Sequence, residues 1–302
     1  MHRIPFHQCE MRILFTIPHF FRNDGHGVHG STLCPPHVRS RAVATCVGAL
    51  NELFGHGQLI TDIGSLTSRA ANNMTRANKL AVVLCTSGQD HLLSRLDLPQ
   101  GSFVHQATDC EPQLLGFECH RVLAENIDRY DYFCYLEDDL ILHDPWFFMK
   151  LTALTTLFSD RAVFQPNRYE APRRSSISRA YIDGALPPSL LEPYKDIQAG
   201  PICDFSFLGH MCHMRIADNP HSGCFFLNAK QMQHWTQSTH FLSRDTSFVG
   251  PLESAATLGI LRHFAIYKST PDCANFLEIE HFGNLGSANI GSVISLPPHS
   301  QT

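Results

Sequence analysis

The chain has 302 residues, of which 43% are hydrophobic and 17% are charged, and its formal net charge is −5. Such a composition supports a sizeable core in one α/β domain and argues against disorder. A mildly acidic chain has no strong electrostatic reason to bind nucleic acid, so we expect no nucleic-acid partner.

No apolar run approaches the roughly 18–20 residues that a membrane span needs. The 11 cysteines include no C-x-x-C pair, which favours free thiols in a reducing compartment over a disulfide framework. We therefore predict a cytoplasmic protein without a transmembrane segment, for which peripheral contact with a membrane surface remains open.

Strands and helices alternate in the first half of the chain. Short apolar runs bounded by turn residues predict buried strands, and apolar residues at helical spacing, such as Val43, Val47 and Leu50, predict a helix that Gly55 ends. The predicted elements are a strand over 13–17, a helix over about 40–54, a strand over 80–85, a helix from Pro112 and a strand over 132–136.

The second half of the chain continues this alternation of strands and helices, with one long interruption. Residues 166–222 are rich in proline and show little periodicity, which predicts an irregular segment. Residues 1–10 are expected to form an N-terminal extension, and residues 284–302 an irregular C-terminal tail. The predicted elements are a helix over about 145–158, strands over 162–165 and 224–227, a helix over about 228–235, a helix from Pro251 and strands over 264–267 and 276–280.

This alternation predicts a Rossmann-type α/β fold, in which a mostly parallel sheet carries helices on both faces. Residues 11–283 would then form a single domain. Ligand sites in such folds lie at the carboxyl ends of the strands. Polar residues that directly follow a predicted strand are therefore candidate site residues.

The strongest such feature is the acidic turn Glu137-Asp138-Asp139, which follows the apolar strand over 132–136. Three consecutive carboxylates repel one another and are costly to desolvate unless a cation or a hydrogen-bond donor compensates them. A divalent cation such as Mn²⁺ or Mg²⁺ suits carboxylate oxygens and shares them with substrate phosphates. The alternative is an exposed acidic turn that precedes the helix capped by Asp144.

The segment YFCYLEDDLIL resembles the DxD segment of GT-A type glycosyltransferases, in its EDD variant. The resemblance implies a metal-dependent enzyme that moves a sugar from a nucleotide-sugar donor to a hydroxyl of a glycan, polysaccharide or glycoconjugate. By position, Asp139 would bind the metal directly, Glu137 would contact the ribose or the hydrated metal, and Asp138 would shape the turn. Thr16 and Pro18, at the end of the first strand, would also bind the donor.

The same resemblance divides the domain into a nucleotide-sugar-binding half, residues 11–139, and an acceptor half, residues 140–283. It implies that Glu253, near the start of a helix, is the catalytic base of an inverting transfer, although Ser254 stands where the family pattern has a second acid. It also implies that His281 is a further metal ligand. The alternatives are a carboxylate that stabilises the helix dipole and a structural histidine.

Three residues of the second half are candidates for the acceptor side. Arg168 could hold a phosphate or carboxylate through two parallel hydrogen bonds, or could form a surface salt bridge. His221 and Gly223 precede the strand over 224–227, and Gly223 would allow a sugar to approach the backbone closely. A plain turn is the alternative for Gly223.

Two other function classes remain possible. Residues 25–30 spell G-x-G-x-x-G, which suggests an NAD(P)-dependent oxidoreductase, but they do not join a strand directly to a helix as that motif requires. A zinc-dependent hydrolase is suggested by a group of histidines and cysteines without H-E-x-x-H or paired C-x-x-C spacing. That group comprises His19, His26, His29, Cys34, His37, Cys212 and His213.

Overall fold

The computed structural model of the protein describes residues 11–22, 32, 34–71, 73–172 and 177–283. The predicted extension over 1–10, the tail over 284–302 and the glycines of residues 25–30 lie outside these residues. Every cysteine in the described ranges is a free thiol. None of the helices found there is long and apolar enough to span a membrane.

The described residues form fifteen strands and six helices. The strands are β1 (Arg12–His19), β2 (Leu59–Asp62), β3 (Thr67–Ala70), β4 (Lys79–Ser87), β5 (Val104–Thr108), β6 (Tyr132–Leu136), β7 (Leu140–Ile141), β8 (Ala162–Phe164), β9 (Asn167–Glu170), β10 (Ala180–Tyr181), β11 (Cys203–Phe207), β12 (His210–Ile216), β13 (Cys224–Asn228), β14 (Ala265–Ser269) and β15 (Glu278–His281).

The helices differ widely in length. They are α1 (Pro36–Phe54), α2 (Leu115–Ala124), α3 (Phe147–Leu157), α4 (Pro188–Leu191), α5 (Ala229–Thr236) and α6, which runs from Pro251–Glu253 through a π-helical turn, Ser254–Leu258, to Gly259–Leu261. Short 3-10 turns lie at Leu93–Arg95, Pro112–Leu114, Glu192–Tyr194 and Pro271–Cys273.

A five-stranded sheet with the order β13-β6-β1-β4-β5 organises the core. Its pairings are parallel except for that between β13 and β6, which is antiparallel. Successive side chains of a strand point to opposite faces, so Ile13 and Phe15 of β1 enter one core cluster while Leu14 enters the other. Both faces of this sheet are therefore buried.

Helices cover both faces of this sheet, as predicted. The apolar residues of α1 and α3 pack in the cluster that contains Ile13, and those of α2, α5 and α6 pack in the cluster that contains Leu14. Burying a Leu, Ile or Phe side chain contributes about 1.5–3 kcal/mol. The apolar spacing within each helix thus both orients it and attaches it to the sheet.

Two four-stranded sheets make the fold as a whole a mixed α/β structure. Their orders are β10-β9-β15-β7 and β11-β12-β14-β8, and each combines parallel and antiparallel pairs. The predicted mostly parallel sheet therefore describes the five-stranded sheet only. The smaller sheets join distant parts of the chain, a feature that local apolar periodicity does not reveal.

The segment over 166–222, which the sequence predicts to be irregular, contains several regular elements in its described part. That part contains β9, β10, β11 and β12, together with the short helix α4. Leu208 and Gly209 have φ values of 50° and 84° and form the tight turn between β11 and β12. The prolines fall mainly between these strands, and the strands gain their pairing partners from β14 and β15 near the end of the domain.

Candidate functional site

A cleft of about 520 Å³ opens at the carboxyl ends of β1 and β6. Side chains from distant parts of the chain meet there, because β15 pairs with β7, which directly follows the acidic turn, and β9 pairs with β15. Of the predicted site residues, those that line the cleft are Pro18, Glu137, Asp138, Asp139, Arg168, His221, Glu253 and His281.

Two of the predicted site residues do not line the cleft. Thr16 is fully buried, and its hydroxyl donates a hydrogen bond to the Cys134 carbonyl at 3.2 Å. Gly223 lies behind Glu137 with a φ of 64°, and a Cβ at this position would come within 2.7 Å of Glu137 Oε2. Gly223 thus makes room for the Glu137 carboxylate, whereas the sequence predicts that Gly223 allows a sugar to approach the backbone.

The backbone of the acidic turn is held from both sides. The Glu137 N–H donates to the Gly223 carbonyl at 2.9 Å, and the Phe282 N–H donates to the Asp139 carbonyl at 2.8 Å. Segments that precede β13 and follow β15 therefore fix where the three carboxylates point. The turn is a preorganised element of the cleft.

Asp138 is almost completely buried and is compensated on both oxygens. His19 Nε2 accepts a hydrogen bond from the Leu92 N–H at 3.0 Å, so its Nδ1 carries the proton that it donates to Asp138 Oδ2 at 2.6 Å. Arg39 Nη2 donates to Asp138 Oδ1. This double anchoring fits the predicted role of Asp138 in shaping the turn.

Asp139 is compensated only in part. Arg39 Nη1 donates to its Oδ2 at 2.7 Å, while its Oδ1 is buried without a hydrogen-bond partner among the described residues. Burial raises the pKa of Asp139, but the positive charges of Arg39 and His281 outweigh burial and hold the pKa below its ordinary value. Asp139 is therefore an ionised carboxylate with one buried oxygen that accepts no hydrogen bond from the described residues.

His281 lies beside Asp139 and is oriented by a second carboxylate. Its Nδ1 donates to the buried Glu170 Oε1 at 3.1 Å, and its Nε2 lies 3.9 Å from Asp139 Oδ2. Burial lowers the pKa of His281, but the hydrogen bond with Glu170 and the charge of Asp139 raise it above its ordinary value. A carboxylate on one ring nitrogen is the arrangement that commonly orients a metal-binding histidine.

Glu137 lies near two other carboxylates, Asp139 and Glu253. Burial raises its pKa to about 7, the negative charge of Asp139 adds to this rise, and the positive charge of Arg168 opposes it. Its carboxyl group therefore changes charge near neutral pH, so a bound cation or donor can shift it to the ionised form.

Glu253 enters the cleft from the first turn of α6. Its Oε2 is buried without a hydrogen-bond partner among the described residues. The π-helical turn follows immediately, and His120 Nε2 donates to the Ala255 carbonyl within that turn at 3.0 Å. Burial lowers the pKa of His120 to about 3, so the ring is neutral and acts as a fixed donor. π-helical turns of this kind are frequent at functional sites.

A second set of side chains, here called the basic wall, is densely paired and comprises Arg168 and His221, which line the cleft, together with Asp183 and Lys268, which bind them. Arg168 Nε donates to Asp183 Oδ1 at 2.8 Å, and Lys268 Nζ donates to Asp183 Oδ2 at 2.7 Å and to the His221 carbonyl at 2.7 Å. The buried His221 ring contacts the Thr257 hydroxyl through Nδ1 at 2.9 Å. Burial and the charge of Arg168 lower the pKa of His221, which keeps this ring neutral.

No family model matches the chain, and no curated protein matches it. The function therefore rests on the chemistry of the cleft. That chemistry combines an acidic turn, an oriented histidine and the carboxylate of Glu253, which together are called the acidic wall, with the anchored arginine of the basic wall.

The donor set suits a divalent cation in part. Asp139 offers a free oxygen and His281 an oriented imidazole, which are ligands for Mn²⁺ or Mg²⁺. Within the described ranges, no group of three or more His, Cys, Asp or Glu side chains is arranged to hold a metal ion. This is compatible with a metal that takes one or two protein ligands and completes its shell with substrate phosphates.

The residues that suggested a zinc site do not assemble in the described structure. His19 is committed to Asp138, and His213 to Asp204 through a 2.8 Å contact. His26 and His29 lie outside the described residues.

Sequence analysis missed five residues that shape the cleft: His19 as the partner of Asp138, Arg39, Glu170, Asp183 and Lys268. Glu170 carried a weak signal, because it lies two residues after the candidate Arg168 and shortly after the predicted strand over 162–165. Arg39 carried none, since an arginine early in an amphipathic helix ordinarily faces solvent.

Proposed function

We propose that the chain is a metal-dependent, inverting glycosyltransferase of the GT-A type. The observation that carries the proposal is the convergence of the acidic turn, His281, Glu253 and Arg168 on one cleft at the carboxyl ends of β1 and β6. The assignment of the fold to the GT-A type belongs to the same proposal, as do a nucleotide-sugar donor and a cytoplasmic location.

In this proposal Asp139 and His281 hold Mn²⁺ or Mg²⁺, and Glu137 assists them. A metal held by these residues would offset the charge of the donor diphosphate and so favour departure of the nucleotide. Asp138 keeps the turn in place through His19 and Arg39. Pro18 lines the same end of the cleft and contacts the donor.

Glu253 acts as the general base. An acceptor hydroxyl must lose its proton as it bonds to the anomeric carbon, and a carboxylate within about 2.6–3.2 Å can accept that proton. Glu253 lies in the first turn of α6 and lines the cleft, and its Oε2 is buried without a hydrogen-bond partner among the described residues. Inversion needs one such base and no protein nucleophile.

Arg168 and His221 form the acceptor side. Asp183 fixes Arg168 through Nε, and Arg168 lines the cleft. A glycan, polysaccharide or glycoconjugate hydroxyl would bind between this wall and Glu253.

The experiment compares the native protein with Asp139→Asn. A panel of UDP-, GDP-, CMP- and dTDP-sugars is screened for a rise in melting temperature with and without Mn²⁺, and the best ligand is measured by calorimetry. We expect Mn²⁺-dependent binding in the native protein and its loss in Asp139→Asn. Asp97→Asn, which changes an exposed carboxylate, is the matched control.

Unchanged donor affinity in Asp139→Asn would contradict the metal site. Binding of NAD(P) in place of any nucleotide-sugar would favour an oxidoreductase. One zinc ion per chain that survives dialysis would favour a hydrolase.

A further inference from the structure

Arg39 binds two of the three carboxylates of the acidic turn. It comes from the first turn of α1, its side chain is only 11% exposed, and its two terminal nitrogens bind one carboxylate each, on Asp138 and Asp139. It also lines the cleft. A single guanidinium therefore supplies the positive charge that sits closest to the acidic turn.

The hydrogen bonding around Arg39 is incomplete. Arg39 Nε is buried without a hydrogen-bond partner among the described residues, and so is Asp139 Oδ1 on the other side of the pair. A buried donor and a buried acceptor that lack partners both favour any rearrangement that satisfies them. By contrast, Asp138 has a second fixed partner in His19, so it keeps one hydrogen bond if Arg39 moves away.

A divalent cation and the guanidinium compete for the same carboxylate. Asp139 Oδ2 already accepts from Arg39 Nη1 at 2.7 Å, and a cation on Asp139 would lie close to the like charge of Arg39. The diphosphate of a donor relieves this conflict, because phosphate oxygens accept two parallel hydrogen bonds from a guanidinium.

We propose that Arg39 is a resident counter-ion that Mn²⁺ or Mg²⁺ displaces from Asp139, and that the displaced guanidinium then binds the donor diphosphate. This inference rests on the proposed function. It makes metal alone a weak ligand and couples metal binding to donor binding, since each then strengthens the other by the same factor. If Arg39 instead formed a permanent structural salt bridge, its replacement would leave the Mn²⁺ affinity unchanged or would prevent the protein from folding.

The test measures the affinity for Mn²⁺ alone, by electron paramagnetic resonance of free Mn²⁺ and by calorimetry. Arg39→Gln removes the competing charge, so we expect it to bind Mn²⁺ about 10–100-fold more tightly than the native protein, a range typical of changes beside metal ligands. Arg69→Gln removes a charge from an exposed strand and serves as the matched control. An affinity equal to or weaker than that of the native protein would overturn the proposal.

Folding is controlled by a second measurement. Arg39→Gln leaves two neighbouring carboxylates without their arginine, so it is purified with and without Mn²⁺ and its melting temperature is followed against Mn²⁺ concentration. We expect a larger rise with Mn²⁺ than in the native protein, and the gain should vanish in Arg39→Gln/Asp139→Asn. A variant that does not fold even with Mn²⁺ would show Arg39 to be structural and would overturn the proposal.

The two proposals fail separately. If the native protein binds a nucleotide-sugar with Mn²⁺ but Arg39→Gln gains no Mn²⁺ affinity, Arg39 is not a displaceable counter-ion and the glycosyltransferase proposal stands. If Arg39→Gln gains Mn²⁺ affinity but no nucleotide-sugar binds, the displacement stands and the glycosyltransferase proposal fails.

Discussion

The two walls of the cleft handle buried charge in opposite ways. On the acidic wall, Asp139 Oδ1 and Glu253 Oε2 are buried without hydrogen-bond partners among the described residues. On the basic wall, the two oxygens of Asp183 accept from Arg168 and Lys268 at 2.7–3.1 Å. One wall thus keeps unused bonding capacity, and the other has its central carboxylate fully engaged.

This difference separates the residues that exchange partners from those that hold the frame. An unpaired buried oxygen lowers stability, and a protein retains it where a ligand or a proton completes it. A fully paired buried ion network adds rigidity, and removal of one member leaves an uncompensated charge. Substitutions on the acidic wall should therefore affect activity first, and those on the basic wall should affect stability first.

The largest effect is expected at Glu253. Glu253→Gln removes the proton acceptor but keeps the size of the side chain, so turnover should fall by about 10²–10⁴-fold, the usual contribution of a general base. The melting temperature and Mn²⁺-dependent donor binding should remain those of the native protein. Initial rates and calorimetry measure these quantities.

Glu52→Gln, an exposed change on α1, should leave the rate unaltered. Near-normal turnover in Glu253→Gln would remove Glu253 from the mechanism. A product that retains the anomeric configuration of the donor would exclude an inverting transfer.

The next effect concerns stability at Asp183. Asp183→Asn leaves Lys268 and Arg168 buried without their shared counter-charge, so the free energy of unfolding should fall by about 3–5 kcal/mol. Urea denaturation at pH 7 measures the change, and the exposed substitution Asp97→Asn is the reference. A loss below about 1 kcal/mol would show that the basic wall is not the more rigid one.

The same carboxylate predicts a dependence on pH. Burial raises the pKa of Asp183, but the charges of Lys268 and Arg168 outweigh it and hold the pKa below its ordinary value. Such a group contributes stability above the unfolded pKa of about 3.9, and the contribution is lost as the pH falls through the folded pKa. Native protein should therefore lose stability below about pH 4 more steeply than Asp183→Asn does in urea denaturation from pH 7 to 3.

The smallest effect is expected at His281. His281→Ala removes one metal ligand and leaves Asp139, so Mn²⁺ affinity measured with donor present should fall by about 10–100-fold while the fold is kept. Calorimetry measures the affinity, and His56→Ala, which changes an exposed histidine distant in sequence from His281, is the control. Equal affinities in both variants would assign His281 a structural role only.

Sequence analysis located the features that depend on local pattern. The strand Tyr132–Leu136 was predicted with its observed bounds, and Pro251 opens a helix that carries Glu253. Asn228 caps the helix after β13 through a capping box with Gln231. Each of these signals lies within a few neighbouring residues, so the sequence reveals it directly.

The features that depend on distant partners were missed. β9 pairs with β15, and β12 pairs with β14. Neither β9 nor β12 therefore shows a recognisable strand pattern inside the proline-rich segment. Arg39 was overlooked and Thr16 was assigned to donor binding for the same reason, since their positions follow from tertiary contacts with Asp138 and the Cys134 carbonyl. Tertiary context routinely overrides local preference in this way.

The antiparallel pairing of β13 with β6 also bears on how the chain is synthesised. Until residue 228 has left the ribosome, β6 is the edge strand of an incomplete sheet, and its apolar run Tyr132–Leu136 has open backbone groups on one side. The acidic turn lacks the Gly223 carbonyl that fixes Glu137 during the same interval. The four parallel strands β1, β4, β5 and β6 can pair before this point, but the edge of β6 stays open until β13 is added.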